Sequence, residues 1–257
     1  MKVVVITQAR LGSTRFPNKI LKKIKGETLL GIHVNRIKKC KAVSAICIAT
    51  TNKVQDSVIS DLAKAFDVHC FKGSEDDVLD RYYCAAQKMN ADLIVRLTAD
   101  CPLIDPVLID EIVKKAKQEL VDYYTNTLIE NFPDGQDVEV FTFAALKEAW
   151  INAKLLSDRE HVTSYIRNNS SFNGGSIFTS DNYYCDKNYN SVRLTVDEEV
   201  DFKVIEHIIN DIGVNENWKT YAEYYLSKKK ISLLNNNITR NEGYQKSIEA
   251  NKKRKKY

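Results

Sequence analysis

The chain has 257 residues, 44% of them hydrophobic and 28% charged, the balance of an ordinary globular protein with enough material for one large α/β domain. Its formal net charge of +4 is no more than Lys252, Lys253, Arg254, Lys255 and Lys256 can supply, so the charge gives no sign of a nucleic-acid partner. No stretch approaches the ~20 apolar residues of a membrane span, the opening apolar run is too short for a signal-peptide core, and the six cysteines lack any CxxC spacing, so a cytoplasmic protein with reduced thiols is expected.

In chain order, the β-branched run from Lys2 to Thr7 predicts a strand buried on both faces. Gln8 to Asn18 is polar, carries Gly12 and Pro17, and reads as a loop. Leu29, Leu30, His33, Ile37 and Cys40 recur at helical spacing, Ala45 to Ala49 reads as a second buried strand, and Val54 to Phe66 as an amphipathic helix. Val68 to Phe71 predicts a short strand and Val78 to Met89 a helix capped by Asp76 or Asp77. Leu93 to Leu97 is a further apolar strand, and Pro106 opens a helix at its first turn, with Asp105 as its cap. This alternation predicts a three-layer α/β/α fold around a mostly parallel sheet, whose ligands bind beyond the carboxyl ends of the strands.

Beyond residue 120 the expected elements are strands at 122–126 and 137–141 around the turn Phe132-Pro133-Asp134-Gly135, forming a small β excursion. Helices are expected at 143–153, 158–168, 200–210 and 218–226, with a loop-rich stretch over 169–190 and a strand at 192–196. One nucleotide-binding domain over 1–227 is expected, followed by a basic, Asn- and Lys-rich extension over 228–257 that is partly mobile.

Three segments carry chemistry. Gln8 to Lys19 follows the first strand and brings Arg10, Arg15 and Lys19 together with Gly12, Ser13 and Thr14. A nucleoside triphosphate calls for such a mixture of point charges and backbone donors, although neither a P-loop nor a GxGxxG fingerprint is present. A solvated loop with scattered cations is the plain alternative. In the second segment an apolar strand delivers Asp100 to its carboxyl end, either as a carboxylate that can hold Mg²⁺ beside phosphate oxygens or as a turn or helix cap. In the third, Val192 to Val196 runs into Asp197, either a second metal ligand or the cap of the next helix. His161 lies outside any His/Cys cluster and suits a structural place at a helix start, and the paired tyrosines suit the boundary between core and surface.

The ordered set QARLGSTRFPNK (8–19), GSEDDVLDRYY (73–83), RLTADCPLIDP (96–106), DGQDVEVF (134–141), REHVT (159–163) and RLTVDEEVDF (193–202) resembles the cytidylyltransferase family of the spore-coat polysaccharide biosynthesis type. That family is related to the synthetases of CMP-activated 3-deoxy-manno-octulosonate and sialic acids. The resemblance runs from Lys2 to about Leu226 and touches Arg240 to Tyr244. It implies a CTP-dependent nucleotidyltransferase that joins CMP to an acidic sugar or related metabolite and releases pyrophosphate. It also implies a homodimer, with residues around 122–141 as the contact; the lack of a long apolar stretch gives no sign of a membrane partner. On the resemblance, Ala9, Arg10, Gly12, Ser13, Arg15 and Lys19 form the triphosphate loop, with Arg15, Lys19 and Asp100 catalytic. Asp100 and Asp197 hold Mg²⁺. Ser74, Asp77 and Arg81 lie near base and ribose, and Asp137 and Glu139 face the acceptor. A glycosyltransferase using nucleotide sugars is a rival, but its usual DxD is absent from Thr98-Ala99-Asp100. A non-catalytic nucleotide-binding protein is another, opposed by the intact cation loop and both aspartates.

Overall fold

A computed structural model describes residues 1–254; Lys255 and Lys256 of the basic run lie outside the described residues. The sheet is built from β1 (Val3–Gln8), β4 (Ala45–Thr51), β5 (His69–Gly73), β6 (Leu93–Thr98), β7 (Tyr123–Thr125), β8 (Glu139–Thr142) and β9 (Ser180–Asn182), in the order β5-β4-β1-β6-β8-β7-β9. Four strands, β5 to β6 in that order, are parallel, and β8 alone runs against its neighbours. A separate hairpin pairs β2 (Lys23–Ile24) with β3 (Glu27–Thr28). The helices are α1 (Leu29–Ile37), α2 (Ser57–Ala65), α3 (Val78–Lys88), α4 (Pro106–Glu119), α5 (Phe143–Asn152), α6 (Leu156–Glu160), α7 (Ser164–Asn168), α8 (Glu199–Ile212), α9 (Trp218–Ser227), α10 (Lys229–Ser232) and α11 (Glu242–Arg254).

The pleat of β1 explains the layers. Val4 and Ile6 point to one face and pack with α3, α5 and α7. Val3 and Val5 point to the other and pack with Ile109, Ile112 and Val113 of α4. On that second side Ile48 of β4 meets Leu30 and Val34 of α1 and Ile59 and Ala63 of α2. The expected three-layer α/β/α arrangement is therefore what the chain adopts. Caps fall on Asp77, which accepts from the Asp80 N–H at 2.9 Å, and on Asp105, which accepts from the Val107 N–H at 2.8 Å.

Several expectations change. Residues 122–141 do not stand off as an excursion: β7 and β8 close into the main sheet, with Val95 opposite Val140. The helix expected over 158–168 is two short ones, because Val162 takes a left-handed φ of 57° and Thr163 turns its hydroxyl inward to Glu139. The loop-rich 169–190 stretch contains the edge strand β9. Residues 192–196 form no strand. They lie pinned between two loops: the Asp134 N–H donates to the Val192 carbonyl at 2.9 Å, and the Val196 N–H donates to the Asp100 carbonyl at 2.8 Å. Gly135 permits the first contact, since its φ is +102° and a Cβ there would stand 2.7 Å from the Leu194 carbonyl carbon. The extension after residue 227 packs on the body through Asn235, which is fully buried and donates to Asp201 at 2.9 Å.

Buried His33 ties α1 to two strand ends. Its Nε2 is 3.0 Å from the Thr7 hydroxyl and its Nδ1 is 2.9 Å from the Cys101 carbonyl. Burial pushes its pKa down from 6.5 to about 4, with the Cys101 carbonyl opposing. The neutral ring then donates from Nδ1 and accepts at Nε2. Because the folded value lies below the unfolded one, its contribution is complete above pH 6.5 and is lost as pH falls through 4. His33→Gln is expected to flatten the fall in stability across that window by on the order of 2–3 kcal/mol, read from urea unfolding at a series of pH values.

Candidate active site

The loop after β1 is held by its own backbone and by a neighbour. The Leu11 N–H donates to Asp56 at 2.8 Å, the Ser13 N–H donates to the Leu11 carbonyl, and the Phe16 N–H donates to the Ser13 hydroxyl at 3.3 Å. This turn presents Arg10, Arg15 and Lys19 toward the carboxyl ends of β1 and β6. A Cβ on Gly12 would meet nothing nearer than 3.7 Å, so the protein itself leaves room there.

Asp100 follows β6 directly, and the pinned 192–196 segment sets Asp197 beside it. Lys19 Nζ lies 2.9 Å from Asp100 Oδ2 and 2.9 Å from Asp197 Oδ1. Arg15 reaches the same Asp197 oxygen at 2.9 Å, and Glu242 at 3.5 Å. Arg193 approaches the other Asp197 oxygen at 3.2 Å while gripping Asp134 at 2.7 Å and Asp201 at 2.8 Å. Burial alone would raise the Asp100 pKa, but Lys19 and the Thr98 hydroxyl outweigh it and hold it at about 2. For Lys19 burial pulls the other way, and the two aspartates overcome it, keeping the ammonium charged and above its ordinary value. Asp197 does not cap α8. Glu198 is the cap, and Asp201 returns the bond to the Glu198 N–H at 3.0 Å.

Two adjoining cavities meet over this cluster. The first, about 280 Å³, is lined by Ala9, Arg10, Gly12, Ser13, Arg15, Lys19, Arg81, Asp100 and Asp197. Arg81 is 2% exposed, donates to the Ser74 carbonyl, and keeps a buried Nε–H with no protein acceptor among the described residues. Burial lowers its pKa, with Tyr82 opposing. Ser74 and Asp77 do not line this cavity. The Ser74 hydroxyl accepts from the Asp77 N–H at 3.0 Å, and the Asp77 carboxylate is spent on capping α3 and on Arg159 at 2.9 Å. Ser74 thus contacts Arg81 through its carbonyl, and Asp77 contacts the first turn of α3 and Arg159.

The second cavity, about 240 Å³, shares Arg15, Thr98, Asp100, His161 and Asp197 with the first and adds Arg96, Asp134, Asp137, Glu139 and Arg167. Glu139 is saturated by Arg96, by the Tyr123 hydroxyl at 2.6 Å and by the Thr163 hydroxyl at 2.7 Å. Burial raises its pKa, and Arg96 together with the Tyr123 and Thr163 hydroxyls more than reverses the effect. Asp137 is paired with Arg240. Asp134 is pushed up to about 7 by burial and by Asp137, against the pull of Arg240 and Arg193. One wall comes from the C-terminal segment through Thr239, Asn241, Glu242 and Tyr244. His161, expected to be structural, borders both cavities: its Nε2 is 3.0 Å from Ser247, and Tyr244 meets its ring edge-on. Asp134, Arg193, Arg167 and the 239–244 wall were not assigned to the site from sequence, although the resemblance touches Arg240 to Tyr244. The runs DGQDVEVF and RLTVDEEVDF contain two of them, and only the bends of the backbone show that they face one site.

Among the described residues no group of three or more His, Cys, Asp or Glu side chains gathers as a metal site. Asp100 and Asp197 nevertheless converge on one cation, the Lys19 ammonium, and hard carboxylate oxygens of that number suit Mg²⁺ when phosphates and water complete its shell.

A family model of the cytidylyltransferases matches residues 4–254. The chain is 31% identical over 226 residues to the spore coat polysaccharide biosynthesis protein SpsF of Bacillus subtilis, covering 82% of this chain and 88% of that protein. It is 36% identical over 239 residues to an uncharacterized protein of Methanocaldococcus jannaschii, covering 93% and 96%. Among solved structures, a cytidylyltransferase from Leptospira borgpetersenii serovar Hardjo-bovis superimposes with a TM-score of 0.84 at 31% identity, over 93% of this chain and 99% of that one. With the fold, the cation loop and the paired aspartates in place, the chain belongs to the cytidylyltransferase family of enzymes.

Proposed function

We propose that this enzyme transfers CMP from CTP to an acidic sugar or related metabolite for surface glycan synthesis, releasing pyrophosphate. The observation that carries the reading is the convergence of the Arg10–Lys19 loop, Asp100 and Asp197 at the mouth of two connected cavities. One cavity suits the nucleotide, with Arg81 supplying an unspent buried donor. The other suits the acceptor, with Arg96, Arg167 and His161 for its acidic group and Asp134 and Asp137 for its hydroxyls. The acceptor oxygen bonds to the α-phosphorus, a hydroxyl acceptor giving up its proton to solvent, the bond to the bridging oxygen breaks, and pyrophosphate carries away the electron pair. Arg15 and Lys19 neutralise the departing charge, and the site's main contribution is alignment of the two reactants. Asp100 and Asp197 would hold Mg²⁺, which when bound supplies Lewis-acid neutralisation of phosphoryl oxygens. The likeness to SpsF supports a role in polysaccharide synthesis.

The test is pyrophosphate release from CTP with Mg²⁺ and a panel of sugar acids, with UTP, ATP and GTP as controls. Acceptor-dependent release from CTP is expected. Turnover of a CDP-sugar with no release from CTP would overturn the reading in favour of a glycosyltransferase. The C-terminal wall gives a second check. Arg240 holds Asp137 and donates to the Phe132 carbonyl at 3.0 Å. Arg240→Ala is expected to raise the acceptor KM about 10-fold, the cost of one charge-assisted contact, and to leave the KM for CTP unchanged.

A further inference from the structure

We infer that Lys19 keeps the metal seat shut until a triphosphate arrives, so that metal and nucleotide enter together and a metal ion alone is refused. The inference rests on the metal reading above and adds an order to it. Lys19 Nζ stands 2.9 Å from one oxygen of Asp100 and 2.9 Å from one oxygen of Asp197, with its side chain 11% exposed. Both oxygens are therefore occupied by a buried positive charge at hydrogen-bond distance. A divalent ion needs those oxygens at about 2.0–2.1 Å, which sets it against a buried ammonium of like charge, so its binding is opposed while the ammonium remains. Asp197 is engaged on both sides, by Arg15 at 2.9 Å on the same oxygen and by Arg193 at 3.2 Å on the other.

The loop's other cations are also paired with carboxylates. Arg10 faces Glu75 at 3.5 Å, and Arg15 faces Asp197 and Glu242. A triphosphate offers Lys19 and Arg15 a competing set of anionic oxygens in the cavity they already line. As they turn to it, Asp100 loses its ion-pair partner and Asp197 keeps only Arg193, and a divalent cation becomes the favourable replacement. Metal and triphosphate thus raise each other's affinity by one common factor, as linkage requires. Lys19 is in this respect a positioning residue for the metal as well as a contact for the phosphates.

The test uses the full chain and Mn²⁺ alone, followed by electron paramagnetic resonance without nucleotide. The native protein is expected to bind Mn²⁺ weakly. Lys19→Met and Lys19→Gln, which remove the charge, are expected to bind it at least ~10-fold more tightly, the scale of a modest coupling energy. Lys19→Arg keeps the charge and is expected to stay weak. Adding Asp197→Asn to Lys19→Met is expected to abolish the gain. If either neutral variant is too unstable to isolate cold, Mn²⁺ should raise its thermal midpoint more than it raises that of the native protein. Equal Mn²⁺ affinity, or an equal thermal response, in native and neutral variants overturns the inference. A separate arm adds a non-hydrolysable CTP analogue to the native protein. Failure to take up Mn²⁺ beyond the free analogue sinks the metal reading itself, whatever the Lys19 variants do.

Discussion

Asp100→Ala is expected to cut pyrophosphate release from CTP by ~10³-fold while leaving the fold intact. The two halves of this outcome have separate causes. Asp100 sits at the end of β6, and its carboxylate makes its ion pair with Lys19, so the sheet below does not depend on it. Its main-chain carbonyl, which accepts from the Val196 N–H at 2.8 Å, survives the substitution and keeps the 192–196 segment in place. The chemistry is expected to depend on the carboxylate, because it is held ionised and lines both cavities where they meet. Unchanged kcat for release with saturating CTP, Mg²⁺ and acceptor would remove Asp100 from the reaction. Circular dichroism and thermal unfolding check the structural half.

Arg193→Ala is expected to cost about 3–5 kcal/mol of stability and to lower activity through a different route. The guanidinium ties three carboxylates: Asp134 at 2.7 Å, Asp197 at 3.2 Å and Asp201 at 2.8 Å. Asp201 is fully buried, so truncation of its partner leaves a charge without a counter-ion, held only by the Asn235 amide and the Asp197 and Glu198 N–H groups. Burial alone would raise the Asp201 pKa, and the bonds from Arg193 are the main reason it stays below its ordinary value. Arg193→Lys keeps the charge but loses the planar fork that serves three partners, so only part of the loss should return. Urea unfolding of both variants measures this; a loss below ~1 kcal/mol for the alanine variant would show that the network contributes little.

Much of the first half of the fold was readable because its signals are local. The mostly buried β1 and β6 runs and the 3.6-residue spacing in α3 and α4 need no distant partner to be recognised. The later half depends on tertiary contacts. Strand β8 opens on Glu139, a buried carboxylate that is tolerable only because Arg96, Tyr123 and Thr163 converge on it from other elements. The Lys- and Asn-rich stretch after Ser227 looked solvated by composition, yet Asn235 and Arg240 each anchor it by contacts that composition hides. In the site, a spacing argument left Asp197 open between cap and metal ligand. Only the placement of Glu198 and Asp201 at the start of α8 shows that the cap is supplied elsewhere. The family pattern drew attention to Ser74 and Asp77, but it could not show that Arg159 and the first turn of α3 consume Asp77.

Strand order has a consequence for how such an enzyme can diversify. Elements on the β1 side of β6 carry the loop proposed to grip the nucleotide, whereas β8, β7 and the segments joined to them carry the proposed acceptor walls. β6 is thus a dividing line in the gene as well as in the sheet: most residues lining the cavity proposed for the nucleotide are encoded before residue 100, and most lining the cavity proposed for the acceptor lie beyond it, with Arg96 and Asp197 among the exceptions. Recombination just past that codon could exchange one sugar preference for another without disturbing the energy-rich donor's berth.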